Sequence, residues 1–315
     1  MISVIVPTFN SANYIFEALN SVLNQTYDDF EVICVDDCST DNTVEILDYF
    51  SKKDSRIKYL INDKNMGPGY SRNKAINVSS GDYVFFLDSD DWILPNTLQL
   101  LHDQAENKQV DLLIFKLFVY NENYKRFYNE KMYDVNILKD VSTRIFNRTD
   151  LDFNLLFLIP DTPINKFYRK SFLDDNNIRF TNENLIYEDT LLFFSVITKA
   201  EKIFFINEYL YIRRRRENSI VTLTNERMFD VFIIFGKVLE LFFMDEQIWY
   251  HYKKELIIYF FKVLDTKYQL VEDKLKPTFF KEIKNFFFRC YLDYELHDLI
   301  MESVDDNILK RFEQK

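Results

Sequence analysis

What most constrains this chain is an alternation. Short apolar runs at Ile2–Val6, Phe30–Val35, Ile57–Ile61, Tyr83–Leu87 and Asp111–Tyr120 are separated by helical patterns at Tyr14–Leu23, Asp41–Phe50, Tyr70–Asn77 and Leu98–Asn107. A continuous apolar run suits a strand buried on both faces. Strands alternating with helices predict an α/β fold, with a mainly parallel, doubly wound, Rossmann-like sheet flanked by helices. Right-handed crossovers gather the strand ends along one edge. Open sheets of this kind bind ligands at the C-terminal ends of their strands.

Three of the runs end in polar turns. Pro7-Thr8-Phe9-Asn10 closes the first, where proline ends strand pairing and Thr8 and Asn10 are free to meet a planar base; an ordinary strand-ending turn is the plainer reading. Asp36-Asp37 ends the second, ahead of Ser39-Thr40-Asp41. Helix capping explains the later residues, but Asp36 directly follows buried-type sequence and can accept from a base or a ribose. Asp88-Ser89-Asp90-Asp91 follows Tyr83–Leu87 and is the sharpest signal. Carboxylates this close repel one another, and Asp88 and Asp90 together suit one hard divalent cation, Mg²⁺ or Mn²⁺. A solvated acidic turn is the alternative.

Three further features are placed less sharply. Gly67-Pro68-Gly69-Tyr70-Ser71-Arg72 is neither a dinucleotide fingerprint nor a P-loop, and Arg72 is as well suited to pairing with Asp88 as to steadying a phosphate. Glu188-Asp189 precedes an apolar helix expected over Thr190–Thr198. A carboxylate there is a cap or, held ionised by the helix dipole, a general base. Arg213–Arg216 follows a strand expected over Ile203–Ile212, and one or two of these arginines closing over a diphosphate is the most economical use of them.

Composition narrows the class. The net charge of −11 argues against a nucleic-acid partner, which requires a basic face. Cys34, Cys38 and Cys290 fit no zinc spacing and no disulfide framework. No apolar run approaches the roughly 18 residues of a membrane span, and Ile2–Val6 reads as a strand, not a secretory signal. A cytoplasmic protein is expected.

As a set, VIVPTFN, VDDCSTDNT, GPGYSRNKA, LDSDDW and EDTLLF resemble the family 2 inverting glycosyltransferases of the GT-A fold, of bacterial or archaeal surface-glycan type. Residues 163–173 look like the family's acceptor-side motif and Tyr211–Ile220 like its late arginine loop. The resemblance covers about residues 1–220. It implies non-processive transfer of a sugar from a nucleotide-sugar, a UDP-sugar, to a glycan or lipid-linked glycan. Pro7, Thr8, Asn10, Asp36, Arg72, Asp88, Ser89 and Arg214 would serve the nucleotide, and Asp88 and Asp90 the metal. Asp189 would be the base and Glu188 its neighbour. The register of the late arginine is open by one or two positions. A sugar nucleotidyltransferase would show a glycine-rich phosphate loop where this chain has PTFN, and an inactive glycan-binding module would lack an aspartate of the set.

The expected organisation is a catalytic domain over 1–224, with a nucleotide half to about 120 and an acceptor half beyond, and a helical C-terminal region over 225–315. In the first tail helix, Phe229, Phe232, Ile233, Leu239 and Phe243 are expected to form one apolar stripe. Packing within the chain or in a homodimer would cover it; peripheral contact with the inner face of the cell membrane is the alternative, opposed by Asp230, Glu240, Asp245 and Glu246.

Overall fold

The structure is a computed structural model that describes residues 1–151, 153–216 and 224–294. The end of the arginine segment (217–223) and the chain after 294 lie outside the described residues. In chain order the first elements are β1 (Ile2–Thr8), α1 (Ile15–Leu23), β2 (Phe30–Asp36), α2 (Thr43–Lys53), β3 (Ile57–Ile61), α3 (Pro68–Val78) and β4 (Tyr83–Phe86). They are followed by β5 (Trp92–Ile93), α4 (Thr97–Lys108), β6 (Leu112–Asn121), β7 (Arg126–Tyr128), α5 (Phe153–Leu156), β8 (Lys166–Arg169), α6 (Lys170–Asp175), α7 (Glu188–Ile197) and β9 (Ile203–Arg215). The last helices are α8 (Asp230–Phe243), α9 (Glu246–Leu270) and α10 (Lys276–Tyr294).

One sheet runs in the order β3-β2-β1-β4-β8-β6-β9-β5, with β7 paired to β6. Its first four strands are parallel, as the alternation predicts. Every residue of β2 and β4 is buried, which is why β4 reads as an unbroken apolar run and β2 as one interrupted only by Glu31 before it ends at Asp36. The register pairs Thr8 with Asp36, so the first two polar turns leave the sheet side by side.

The other half is mixed. β8 is antiparallel to both β4 and β6, while β6 and β9 run parallel to each other. A four-residue strand carries too little periodicity to announce its direction. β5 pairs antiparallel with β9, Trp92 opposite Ile212 and Ile93 opposite Tyr211. β9 therefore arrives directly beside the acidic turn at 88–91. It continues through Arg215, three residues beyond the predicted end at Ile212. α7 begins at Glu188, two residues earlier than predicted, with Tyr187 in the left-handed region at its N-cap.

The chain divides into two compact units, one of Met1–Asp152 and Leu158–Glu217, the other of Phe153–Phe157 and Asn218–Lys315. The second unit is helical and aromatic. Phe235 stacks on Phe260 and Phe261 on Phe287, and Phe157 meets the rings of Phe242, Tyr252 and Tyr259. The α8 stripe is rotated from the predicted one. Val231, Ile234, Phe235, Val238, Leu239 and Phe242 are buried, while Ile233 and Phe243 are exposed. A helix apolar on nearly all sides lets sequence periodicity fix its face only to within a residue. Among the described residues no helix is long and apolar enough to cross a membrane, and no disulfide joins the cysteines.

Opposite the ligand edge, Glu31 ties the strand starts together. It accepts from Ser3 Oγ, from the Ser80 amide and hydroxyl, and from Lys58. Burial raises its carboxyl, but these four donors outweigh burial and hold it down at about 2, from 4.5. A depressed carboxylate contributes stability that is present above the unfolded value and is lost as pH falls through the folded one. Glu31→Gln should therefore lower the denaturant midpoint at neutral pH, by about 1–3 kcal/mol for a charged hydrogen-bond acceptor. The gap to the parent should close as pH falls from 4.5 toward 2. A gap unchanged by pH would refute this assignment.

Candidate active site

Three turns meet at the C-terminal edge of the sheet. In the first two, Asp36 is fully buried and accepts from Thr8 Oγ1 (3.1 Å) and from the Ser39 amide (2.8 Å) and hydroxyl (2.6 Å). Both of its oxygens thereby take part in shaping the turn. Asn10, in the left-handed region at φ 48°, accepts from the Thr40 amide with its side chain and donates from its own amide to Ser39 Oγ. Pro7, half-buried, is the next-to-last residue of β1 and lies in register with Val35, so the strand runs one residue past the proline expected to end it. Asp37 reaches the other way and accepts from Asn62 Nδ2 and the amides of Met66 and Gly67. Sequence reasoning gave Asp37 no role of its own and Ser39 only a cap; the DDxS spacing that carries both was the available signal.

The acidic turn after β4 is held from β9. Tyr211 Oη donates to Asp91 (2.7 Å) and accepts from the Asp88 amide (3.1 Å), and the Arg214 amide donates to Asp91 Oδ1 (2.7 Å). Asp91 is thus the buried anchor of the turn, and Asp88 and Asp90 are left at its surface. Ser89 bonds Ser11 at 2.6 Å and ties the acidic turn to the first. Burial and the charges of Asp90 and Asp88 push the Asp91 carboxyl well above the usual range. Burial and Asp88 push Asp90 up as well, against Arg216 and Arg213. The turn is short of positive charge.

The arginine run divides its labour. Arg214 is buried, and all three guanidinium nitrogens are taken: Nε by the Asp90 carbonyl (2.9 Å), Nη1 by Glu122 (3.2 Å) and Nη2 by Glu17. Arg213 lies over the ring of Tyr133, and Arg215 pairs with Glu130. Arg216 is the member whose side chain pairs with a carboxylate of the acidic turn, 2.5 Å from Asp90 Oδ2. It is partly exposed, and its buried Nε has no partner among the described residues. Arg214, the position the resemblance matches, is thus engaged with Glu17, Glu122 and the Asp90 carbonyl, and Arg216 with the Asp90 carboxylate.

Arg72 joins the third turn to the rest. Gly67 adopts φ 87°, a conformation that favours glycine, and starts α3 just ahead of Pro68. A Cβ on Gly69 would come within 3.1 Å of Glu188 Cγ and of the Thr181 carbonyl, so glycine here allows α3 to lie against the start of α7. Asn73 then bonds the backbone of Phe180 through both its amide groups. The result aims Arg72 inward at 4% exposure. Nη2 meets Asp88 (2.9 Å), and Nη1 meets both Glu188 and Asp189 (3.1 Å each). Burial alone would make the guanidinium a weaker base, but the three carboxylates outweigh it and hold it charged. Burial, then the Glu188 charge, pushes Asp189 well above the usual carboxyl range, against Arg72. Glu188 is raised as well, by burial. A carboxylate of raised basicity at a helix N-terminus, beside a fixed cation, has the character of a general base.

Residues 3–176 match the family Glycosyl transferase family 2. The glycosyltransferase GlyG of Streptococcus pneumoniae is 34% identical over 228 residues, 70% of this chain and 73% of GlyG. The glycosyltransferase GlyA of the same organism is 32% identical over 72% of this chain, which spans only 32% of that longer protein. Among solved structures, residues 1–349 of Staphylococcus aureus TarS in complex with UDP-GlcNAc superimpose with a TM-score of 0.69 at 26% identity, covering 90% of this chain and 80% of that one.

Removing one member of a buried charge cluster leaves the others uncompensated, at a cost of about 3–5 kcal/mol. Arg72→Met should destabilise the chain by that order in a denaturant titration at neutral pH. Protonating the carboxylates at acid pH should recover part of the loss. A loss below about 1 kcal/mol, the range of exposed pairs, would refute the view that Arg72 holds the site together.

Proposed function

The chain belongs to glycosyl transferase family 2, and from that premise we propose that it moves a sugar from a UDP-sugar to a hydroxyl of a glycan or lipid-linked glycan, inverting the anomeric centre. The observation that carries this reading is the Arg72 junction, where one guanidinium pairs with Asp88 on the donor side and with Asp189 on the acceptor side. The two groups whose relative position sets the reaction geometry share one rigid partner. The likeness to TarS, whose structure holds UDP-GlcNAc, supports a uridine nucleotide-sugar as donor.

Asp189 accepts the proton of the acceptor hydroxyl as that oxygen attacks the anomeric carbon. The bond from that carbon to the diphosphate oxygen breaks on the opposite face, and the nucleoside diphosphate departs. Glu188 shares Arg72 with Asp189 and so fixes the guanidinium from a second side. Thr8 and Asn10 line the nucleotide end, on a turn whose shape Asp36 maintains. Arg216 offers a cation to the departing phosphates, and its unpartnered Nε is a donor suited to a phosphate oxygen.

A divalent cation fits the acidic turn. Asp88 and Asp90 bring hard oxygen donors, and burial, with the charge of neighbouring carboxylates, disfavours the charged forms of Asp90 and Asp91 when no cation is bound. Among the described residues no three His, Cys, Asp or Glu side chains form a ligand cluster. Asp88 and Asp90 would therefore share the ion with diphosphate oxygens and water, as magnesium sites commonly do. When bound, it offsets the charge that develops on the leaving group.

Calorimetry with UDP should give binding that strengthens with Mn²⁺ and weakens about tenfold or more, about 1.4 kcal/mol, in chelator or after Asp90→Ala. Equal affinity in every arm would refute the metal assignment. Asp189→Asn should keep UDP affinity and lower turnover of a UDP-sugar by about 10²–10⁴-fold, the range of general-base catalysis. Because the Asp189 carboxyl is raised, activity of the parent should fall on the acid side at a higher pH than an ordinary aspartate would give. Near-parental turnover in Asp189→Asn would assign that residue a capping role instead.

A further inference from the structure

Lys166 takes no part in the chemistry above, yet it is buried to 1% exposure at the start of β8. Its Nζ donates to the carbonyl oxygens of Pro160 and Thr162, at 2.6 Å each, and to Asn165 Oδ1 at 3.0 Å. It also lies 5.2 Å from the ring centre of Phe193 in α7. Three oxygen acceptors can be served only by an ammonium, which has three hydrogens and no lone pair. Burial pulls the proton affinity of this amine down to about 7, against the charges of Asp161 and Asp189. The acceptors favour the charged form, so the ammonium is the state this geometry fits. A buried ion is costly to keep where an apolar side chain would fill the same space.

The two carbonyls that Lys166 grips flank Asp161. The Asp161 carboxylate accepts from Thr190 Oγ1, and Thr190 follows Asp189 in the first turn of α7, its amide bonded to the Tyr187 carbonyl. A continuous path thus runs from the ammonium through the 160–162 backbone and the Asp161 carboxylate to the residue beside the base.

We propose that Lys166 is a positioning residue for glycosyl transfer: it locks the 160–162 backbone so that Asp161 holds Thr190, and with it Asp189, at the start of α7. The charge acts in the same direction, since a cation stabilised by Asp189 in turn favours the ionised Asp189. The proposal rests on Asp189 being the base. Neither Lys166 nor Thr190 touches the substrates.

The test uses the full chain with Lys166→Met, Thr190→Val, which removes only the hydroxyl bond, and Thr190→Ser, which restores it. Hydrogen exchange at the amides of residues 188–190 reads position without any substrate. Steady-state kinetics with the UDP-sugar that the parent turns over read the consequence. Lys166→Met and Thr190→Val should speed exchange at 188–190 and lower kcat about tenfold or more, within the roughly 10²-fold cost of a small misplacement. Donor KM should stay within about twofold, and Thr190→Ser should behave like the parent. In Lys166→Met the acid limb should also move to higher pH. If Lys166→Met fails to fold, Thr190→Val carries the test. Thr190→Val with parental exchange, kcat and pH profile would overturn the proposal, as would losses in Thr190→Ser equal to those in Thr190→Val. A parent that turns over no nucleotide-sugar would refute the reading of the reaction, and the exchange comparison would then decide the positioning claim alone.

Discussion

The site depends on one buried cation. Arg72 faces three carboxylates drawn from two places, Asp88 in the acidic turn and Glu188 and Asp189 at the head of α7. Without it Asp88 would be repelled by the Glu188–Asp189 pair, because each of the three is partly or fully withdrawn from water and like charges repel more strongly there. In return the carboxylates keep the guanidinium charged despite its burial. Such a cluster is stable only when every member is present. The surrounding details serve this one arrangement: the absent side chain of Gly69, the amide of Asn73 and the left-handed turn at Tyr187.

The sheet edge was legible in the sequence because its strands are buried on both faces and end abruptly in carboxylates. Asp36, Asp88 and Asp90 announce themselves by following unbroken apolar runs. Their division into shaping and exposed groups was not legible. The part that Asp36 and Asp91 take in bracing the turns is set by what they bond, Thr8, Ser39 and Tyr211, which is fixed by register and by a distant strand. The same holds for the arginine run. Four identical side chains in a row carry no information about which is spent on Glu17 and Glu122 and which is left at Asp90.

The antiparallel β8 was invisible for a related reason. Four residues between a polar excursion and a short helix have no period of their own, so only the partners on either side, β4 and β6, define them as a strand. The tail misled by excess instead of scarcity. With apolar residues nearly all round α8, its buried face is set by the neighbours it meets, and Ile233 and Phe243 fall outside it.

The distance in sequence between the partners of Arg72 bears on how the protein is made. Asp88 lies 16 residues away, Glu188 and Asp189 more than a hundred. During synthesis the parallel strands β1 to β4 can pair once residue 86 has left the ribosome. The strand that joins them to β6 is not made until residues 166–169. Until α7 follows, Arg72 has only Asp88 for a partner, and the edge of β4 that β8 will cover stands open, the kind of edge through which nascent chains associate wrongly. A contact of this length also carries a loop-closure cost, and the cluster is completed only by α7, ahead of β9, the last strand to enter the sheet. A chain stopped short of α7 would keep the lacing between the first two turns, but would lack both the β9 anchor of the acidic turn and the group proposed to accept the proton.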